Sequence, residues 1–186
     1  MFALNLMRYF AYSIFLFPFI SGFAIAGTES THQQNTSVKV IQKQTSDTER
    51  LQLTVYKNPS CGCCKKWMKH LNEQGIKTQA EHQDDLTAIK AQYHIPSTHQ
   101  SCHTAVLTSP KNNKTYAFEG HIPAKYIKQF LQNPPAHAVG LTVPAMPVGS
   151  PGMEYGNEFM SYEIFLIKND GSTSTFAQVN VLEDQY

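Results

Sequence analysis

Charge is scarce in this chain of 186 residues: Asp, Glu, Lys and Arg together make up 16%, against about 25% in a typical soluble domain. What charge there is nearly cancels, 15 Lys and Arg against 14 Asp and Glu. There is no basic block, and nucleic-acid binders carry a clustered Lys/Arg footprint, so that class is excluded. There is no carboxylate cluster either, which excludes calcium cages and acidic-tail functions. No apolar run reaches the ~20 residues that a membrane-crossing helix needs, because Pro18, Ser21 and Gly22 interrupt the longest one. Hydrophobic residues, at 41%, are plentiful enough for a packed core, and the length suits one domain with extras, at ~100–200 residues per domain. Cysteine is sparse, with four in all, yet three of them fall within four positions.

The N-terminus carries one cation, Arg8, then the apolar run Tyr9 to Ile20, then small residues ending Ala24-Ile25-Ala26 before Gly27. Charged, apolar and small-residue regions in that order predict a secretory signal over residues 1–26, cleaved after Ala26. An uncleaved anchor is the alternative. No cysteine lies near the cleavage site, so lipid attachment through cysteine is excluded. Loss of Arg8 leaves 14 cations against 14 anions. The expected mature protein is neutral, works outside the cytoplasm and is free of the membrane once the signal is cut. Residues 27–50 are rich in Gln, Ser and Thr and poor in large apolar groups. They cannot bury enough surface to offset chain entropy, which predicts a flexible polar tether.

Residues 51–186 read as the folded domain. Leu51 to Tyr56 alternates apolar and polar residues, the pattern of a strand. Ser60 is suited to cap a helix over Cys61 to Gln74 that Gly75 ends. Ile76 to Ala80 makes a second short strand, and Asp84 to Tyr93 a second helix stopped by Pro96. His103 to Leu107 and Thr115 to Phe118 flank Pro110 to Asn113 and predict a hairpin. Pro123 opens a helix to about Gln132. Ala138 to Gly156, rich in Pro, Gly and Met, predicts an irregular wrap over the surface. Asn169-Asp170-Gly171, between Tyr162–Ile167 and Thr175–Val181, marks a C-terminal hairpin. The order β-α-β-α-β-β-α is that of the thioredoxin-like α/β fold. The expectation is a central mixed sheet flanked by helices, with the C-terminal hairpin added.

In that order a cysteine motif opening the first helix is where such a fold keeps its chemistry. Cys61-Gly62-Cys63-Cys64 holds a C-x-x-C pair with a third thiol between. Unpaired N–H groups at a helix start favour thiolates. Lys65 and Lys66 add positive charge, or are simply a solvated helix face. A purely structural role would need two disulfides, and four cysteines allow three pairings. Bridges between Cys63 and Cys64, or Cys61 and Cys63, are hard to close, which leaves Cys61–Cys64 with Cys63–Cys102. Three thiols on one turn instead suit a soft metal: Cu(I) prefers thiolates, and Zn(II), the lesser candidate, wants four ligands in a tetrahedron. Cys102, just before the strand Ala105-Val106-Leu107, sits where this topology faces the active-site helix and can supply a fourth sulfur.

The stretch Asn58 to Trp67 (NPSCGCCKKW) resembles the signature of the CopG-like periplasmic copper-resistance proteins, a family also described as a domain of unknown function. Three further blocks agree: Ser101 to Val106 (SCHTAV), Glu119 to Ala124 (EGHIPA) and Val143 to Glu154 (VPAMPVGSPGME). The resemblance runs from about Leu53 to Val179. It implies a thioredoxin-like fold binding Cu(I) through Cys61, Cys63, Cys64 and Cys102, as a small copper–thiolate cluster, with a role in interconverting copper oxidation states. This chain departs from the family in Ala145, where glycine is more usual, in a longer hairpin around Pro110 to Lys114, and in its longer tether.

His103 and His121 are candidates to ligate copper or to hydrogen-bond the cluster sulfurs. Met146 and Met153 carry soft thioethers that can guide copper, although methionine also fills packing gaps. Trp67 and Met68 are expected to pack, and His70, His82, His94, His99 and His137 to lie at the surface. The reading is an exported Cu(I)-binding protein of copper homeostasis, with other periplasmic copper-handling proteins as partners. Copper oxidoreductase activity is compatible with such a site, but metal binding is the role the residues favour. The alternative is a periplasmic thiol–disulfide oxidoreductase in which Cys61 attacks and Cys64 resolves.

Overall fold

The computed structural model describes residues 51–186; the expected signal (1–26) and tether (27–50) lie outside them. Strand β1 (Gln52–Lys57) leads into helix α1 (Gly62–Glu73), β2 (Lys77–His82) and the short helix α2 (Thr87–Gln92). Then come β3 (His103–Thr108), β4 (Thr115–Glu119), helix α3 (Ala124–Gln132) and β5 (Ala138–Thr142), followed by β6 (Tyr162–Lys168) and β7 (Thr173–Val179). All seven strands form one mixed sheet in the order β2-β1-β3-β4-β5-β6-β7. β1 pairs in parallel with β2 and β4 with β5; the other neighbours are antiparallel.

Alternation along the strands decides which helix lies where. Leu53, Val55, Ala105, Leu107, Tyr116 and Phe118 point to one face and are buried with Trp67 and Leu71 of α1 and Ile127 and Phe130 of α3. Each such large side chain contributes roughly 1.5–3 kcal/mol when fully buried. Thr104 and Glu119, on the opposite parity, meet Lys90 of α2 instead. Among the described residues no helix is long and apolar enough to cross a membrane.

Three sequence expectations are corrected. Helix α1 begins at Gly62, and Cys61 is its N-cap, with the Cys64 N–H donating to Cys61 Sγ at 3.3 Å. Ser60 is taken up elsewhere, its N–H and hydroxyl both donating to Asn58 Oδ1. Helix α2 starts at Thr87 rather than Asp84, because Asp85 Oδ1 accepts the Thr87 N–H in a local turn. The stretch from Ala138 is not wholly irregular: residues 138–142 are a strand, hidden from periodicity by Gly140 and by a bulge between Ala138 and Gly140. A Cβ at Gly140 would overlap the Ala117 carbonyl of the parallel neighbour, so the strand is specified by backbone approach. Through β5 the C-terminal hairpin continues the main sheet.

Candidate metal centre

The end of β1 and the start of β3 lie side by side because the two strands pair antiparallel with Lys57 opposite His103. That register brings Cys102, one residue before β3, to the helix that follows β1. A turn closed by Cys61 N–H donating to the Asn58 carbonyl (3.1 Å) delivers Cys61 to the top of α1. Cys61 and Cys64 are joined as a disulfide, with Cα atoms 5.4 Å apart, and Cys63 and Cys102 are free thiols. Cys63 Sγ lies 3.6 Å from Cys61 Sγ and 3.7 Å from Cys102 Sγ, while Cys64 Sγ lies 3.5 Å from Cys102 Sγ. All four sulfurs lie within 4.8 Å of one another, with Cys64 buried and the rest half-buried.

A second group of donors shares Cys102 with His103 and His121, again within 4.8 Å. His121 follows Gly120, which has φ +77° and no room for a side chain, since a Cβ there would sit 2.5 Å from the Val143 carbonyl. His121 Nδ1 lies 2.8 Å from the Pro151 carbonyl and Nε2 lies 3.7 Å from Cys102 Sγ. A carbonyl can only accept, so Nδ1 carries the proton and Nε2 presents its lone pair to the sulfur. His103 puts Nδ1 3.6 Å from Cys102 Sγ. Its ring packs 4.3 Å from that of Trp67 and 5.1 Å from that of His121, and its buried Nε2 has no hydrogen-bond partner among the described residues.

Burial sets the electrostatics. It drives His103 well below the ordinary histidine range and lowers His121 too, against the pull of the Pro151 carbonyl and Glu154. Both imidazoles are therefore neutral, the form that binds metal. Burial, with Cys63 beside it, pushes the Cys102 thiol up to about 11. A metal ion can displace that proton. Lys57 is lowered by burial and by Lys65, and drawn back up by Cys102 and Cys63; its ammonium donates to the Asn58 carbonyl at 2.8 Å.

The four cysteines and two histidines singled out from the sequence thus converge. Met146 is 45% exposed and Met153 half-buried; what their segment brings to the site is backbone, through the Pro151 carbonyl and through Gly152. A Cβ at Gly152 would lie 2.7 Å from the Cys63 carbonyl and 2.8 Å from Trp67 N, so the segment rests directly on the first turn of α1. Trp67 is fully buried and donates to the Ile122 carbonyl at 2.8 Å, and Met68 packs against the core. His82, His94 and His137 are exposed as expected. His70 is not: it is buried, and its Nε2 accepts the Ala124 N–H at the start of α3. His99 is half-buried against Phe165. Sequence reasoning missed Lys90 and Glu119, a buried ion pair behind Cys102; the EGHIPA block contained Glu119 but nothing pointed to its partner.

The chain is similar to a described family and to two solved structures. The family profile described as "Protein of unknown function, DUF411" matches residues 99–153, the span containing Cys102, His103, His121 and Pro151. Two solved structures are similar, described as copper resistance protein copG, form 1 and form 2. Each is 36% identical with a TM-score of 0.62; the alignments cover 69% and 70% of this chain and 97% and 98% of theirs. No curated protein sequence matches.

Proposed function

This chain belongs to the CopG-like family of copper-resistance proteins, and from that premise we propose that it binds Cu(I) through Cys61, Cys63, Cys64 and Cys102 in copper homeostasis. The observation that carries the reading is the convergence of four sulfurs within 4.8 Å, contributed by α1, by its N-cap and by the residue before β3. Thiolate is the ligand Cu(I) prefers, and Cu(I) accepts low coordination. Zn(II) would use the same four sulfurs as a tetrahedron and is the secondary occupant. The neutral His121, with Nε2 directed at Cys102, adds a nitrogen donor. Cys102, which belongs to both donor groups, is suited to bridge metal ions, which favours more than one copper per chain.

Use of all four thiols requires reduction of the Cys61–Cys64 disulfide. That bond also gives the site a redox role. The reduced pair yields two electrons when its disulfide forms, enough to convert two Cu(II) to two Cu(I), with the protons of any neutral thiols passing to solvent. Copper is the substrate and cargo of such a protein. The run β1-α1-β2-α2-β3-β4-α3, with its first four strands ordered β2-β1-β3-β4, supports a thioredoxin-like core. The N-terminal pattern supports a cleaved signal over residues 1–26, a tether over 27–50 and a single periplasmic domain over 51–186. Other periplasmic copper carriers are its proposed partners.

The oxidoreductase alternative is favoured by one observation, the Cys61–Cys64 disulfide itself. Anaerobic loading of the reduced protein with Cu(I), counting copper and free thiols, separates the two. More than one copper per chain with four protected thiols supports the copper reading, and Cys63→Ser and Cys102→Ser should each lower the stoichiometry. Unchanged copper binding in both variants sinks the four-thiolate site. No retained copper, with Cys61 and Cys64 cycling as a disulfide against a protein substrate, supports the oxidoreductase.

A further inference from the structure

Behind the metal centre, on the face of the sheet away from α1, Lys90 and Glu119 form a buried ion pair. Its hydrogen bonds converge on the residues flanking the distal cysteine and its neighbouring histidine. Glu119 Oε1 accepts the Ser101 N–H at 2.6 Å and Oε2 accepts the Thr104 hydroxyl at 2.6 Å. The Lys90 ammonium donates to Glu119 Oε1, to the Ser101 carbonyl at 3.0 Å and to Thr104 Oγ1 at 3.1 Å. All three ammonium protons are used, and both Glu119 oxygens accept. Ser101 is held by its N–H and its carbonyl, so the peptide planes on both sides of it are fixed. The second of those planes sets the direction in which Cys102 leaves the chain. Its hydroxyl is held as well, donating to the Ala145 carbonyl at 3.0 Å.

Apolar side chains of similar volume often replace a buried ion pair with no loss of stability. What they cannot do is hold Ser101 and Thr104 at four points. A donor set works only when its atoms are kept within about 0.5 Å of productive geometry, and Cys102 is the one sulfur here that neither lies on helix α1 nor caps it. We infer that Lys90 and Glu119 are positioning residues for the distal thiol, clamping the Ser101–Thr104 segment at the start of β3 so that Cys102 Sγ stays against Cys63 and Cys64. The inference rests on the reading of Cys102 as a copper ligand, but its geometric content can be tested without metal.

The double variant Lys90→Met/Glu119→Leu removes the clamp without leaving a buried charge. In the reduced, metal-free protein, iodoacetamide should alkylate Cys102 several-fold faster than in wild type, resolved by peptide mass spectrometry, with Cys63 unchanged. Copper retention against a chelator should weaken about 10–100-fold, the usual cost of losing a partner that orients a ligand. Lys90→Arg, which keeps the pair, should stay near wild type in both measurements. A folded double variant with wild-type Cys102 alkylation and wild-type copper retention overturns the clamp. If the double variant does not fold, Thr104→Val, which deletes two of the four hydrogen bonds, is read the same way, and unchanged Cys102 alkylation there overturns it too. A wild-type protein that retains no copper would sink the copper reading instead, while the metal-free alkylation rates still decide the clamp.

Discussion

His121 donates its Nδ1 proton to the carbonyl of Pro151 across 2.8 Å, and this one bond makes the ring a potential ligand. With Nδ1 committed, the lone pair on Nε2 is fixed toward Cys102 Sγ, 3.7 Å away. Ligating histidines are commonly oriented in this way through their other nitrogen.

The first prediction is that His121→Ala retains the fold and loses copper. Retention against a competing chelator should weaken about 10–100-fold, with the four thiols still countable after reduction. If the variant holds copper as tightly as wild type, His121 plays no part in binding.

Gly152 carries a second prediction, because its φ of +91° and its neighbours both exclude a side chain. An added Cβ would press on Cys63 O and Trp67 N, backbone atoms of α1 that cannot swing aside, and would come within 3.2 Å of His121 Nδ1. Gly152→Ala should therefore cost about 1–3 kcal/mol from backbone strain alone, and should weaken copper retention as Pro151 moves off His121. Gly62→Ala is the control, since open space surrounds that position; it should be neutral, or stabilising by up to about 1 kcal/mol. Equal melting temperatures for the two variants would show that the Pro151–Gly152 strap is not packed as described.

What could be read ahead of the structure followed from local chemistry. The C-x-C-C motif at a helix start, the Asp-Gly hairpin and the strand periodicities are statements about neighbours in sequence. The element order predicts that Cys102 faces the motif, and the antiparallel pairing of β3 with β1 brings it there. What escaped notice depends on partners far apart in the chain. Strand β5 has a glycine at its centre and is defined by Ala117 and Ile167 on either side. The sequence predicts a surface position for His70 because nothing in its own helix reveals that it accepts the Ala124 N–H. Lys90 looks like an ordinary helix lysine until Glu119, 29 residues away, is set against it.

The disulfide supports a third prediction, that oxidation state gates metal uptake. With Cys61 and Cys64 joined, only Cys63 and Cys102 remain as thiols, so a thiol reagent should titrate two groups in the oxidised protein and four after reduction. Copper uptake should fall to a weak residual in the oxidised form and return on reduction, because a disulfide sulfur has no thiolate to offer. Equal copper binding by the oxidised and reduced proteins would mean that Cys61 and Cys64 are not ligands.

The last prediction concerns pH in the absence of metal. His70, His103 and His121 are all buried, and burial is the leading cause that lowers the proton affinity of each. Unfolded, they titrate near ~6.5. Above that pH they are neutral in both states and the fold keeps its full stability. As the pH falls below it, the unfolded chain takes up protons that the folded protein still refuses, so stability drops until the folded values are reached. The metal-free protein should therefore melt at progressively lower temperature from about pH 7 to about pH 5. His70 isolates one share of this effect away from the sulfurs. Its Nε2 must be unprotonated to accept the Ala124 N–H at 3.1 Å. In His70→Gln an amide oxygen can take that bond without titrating, so calorimetry should show a shallower decline than in wild type. Parallel pH profiles for the two proteins would remove His70 from this account, and a flat wild-type profile would remove all three histidines.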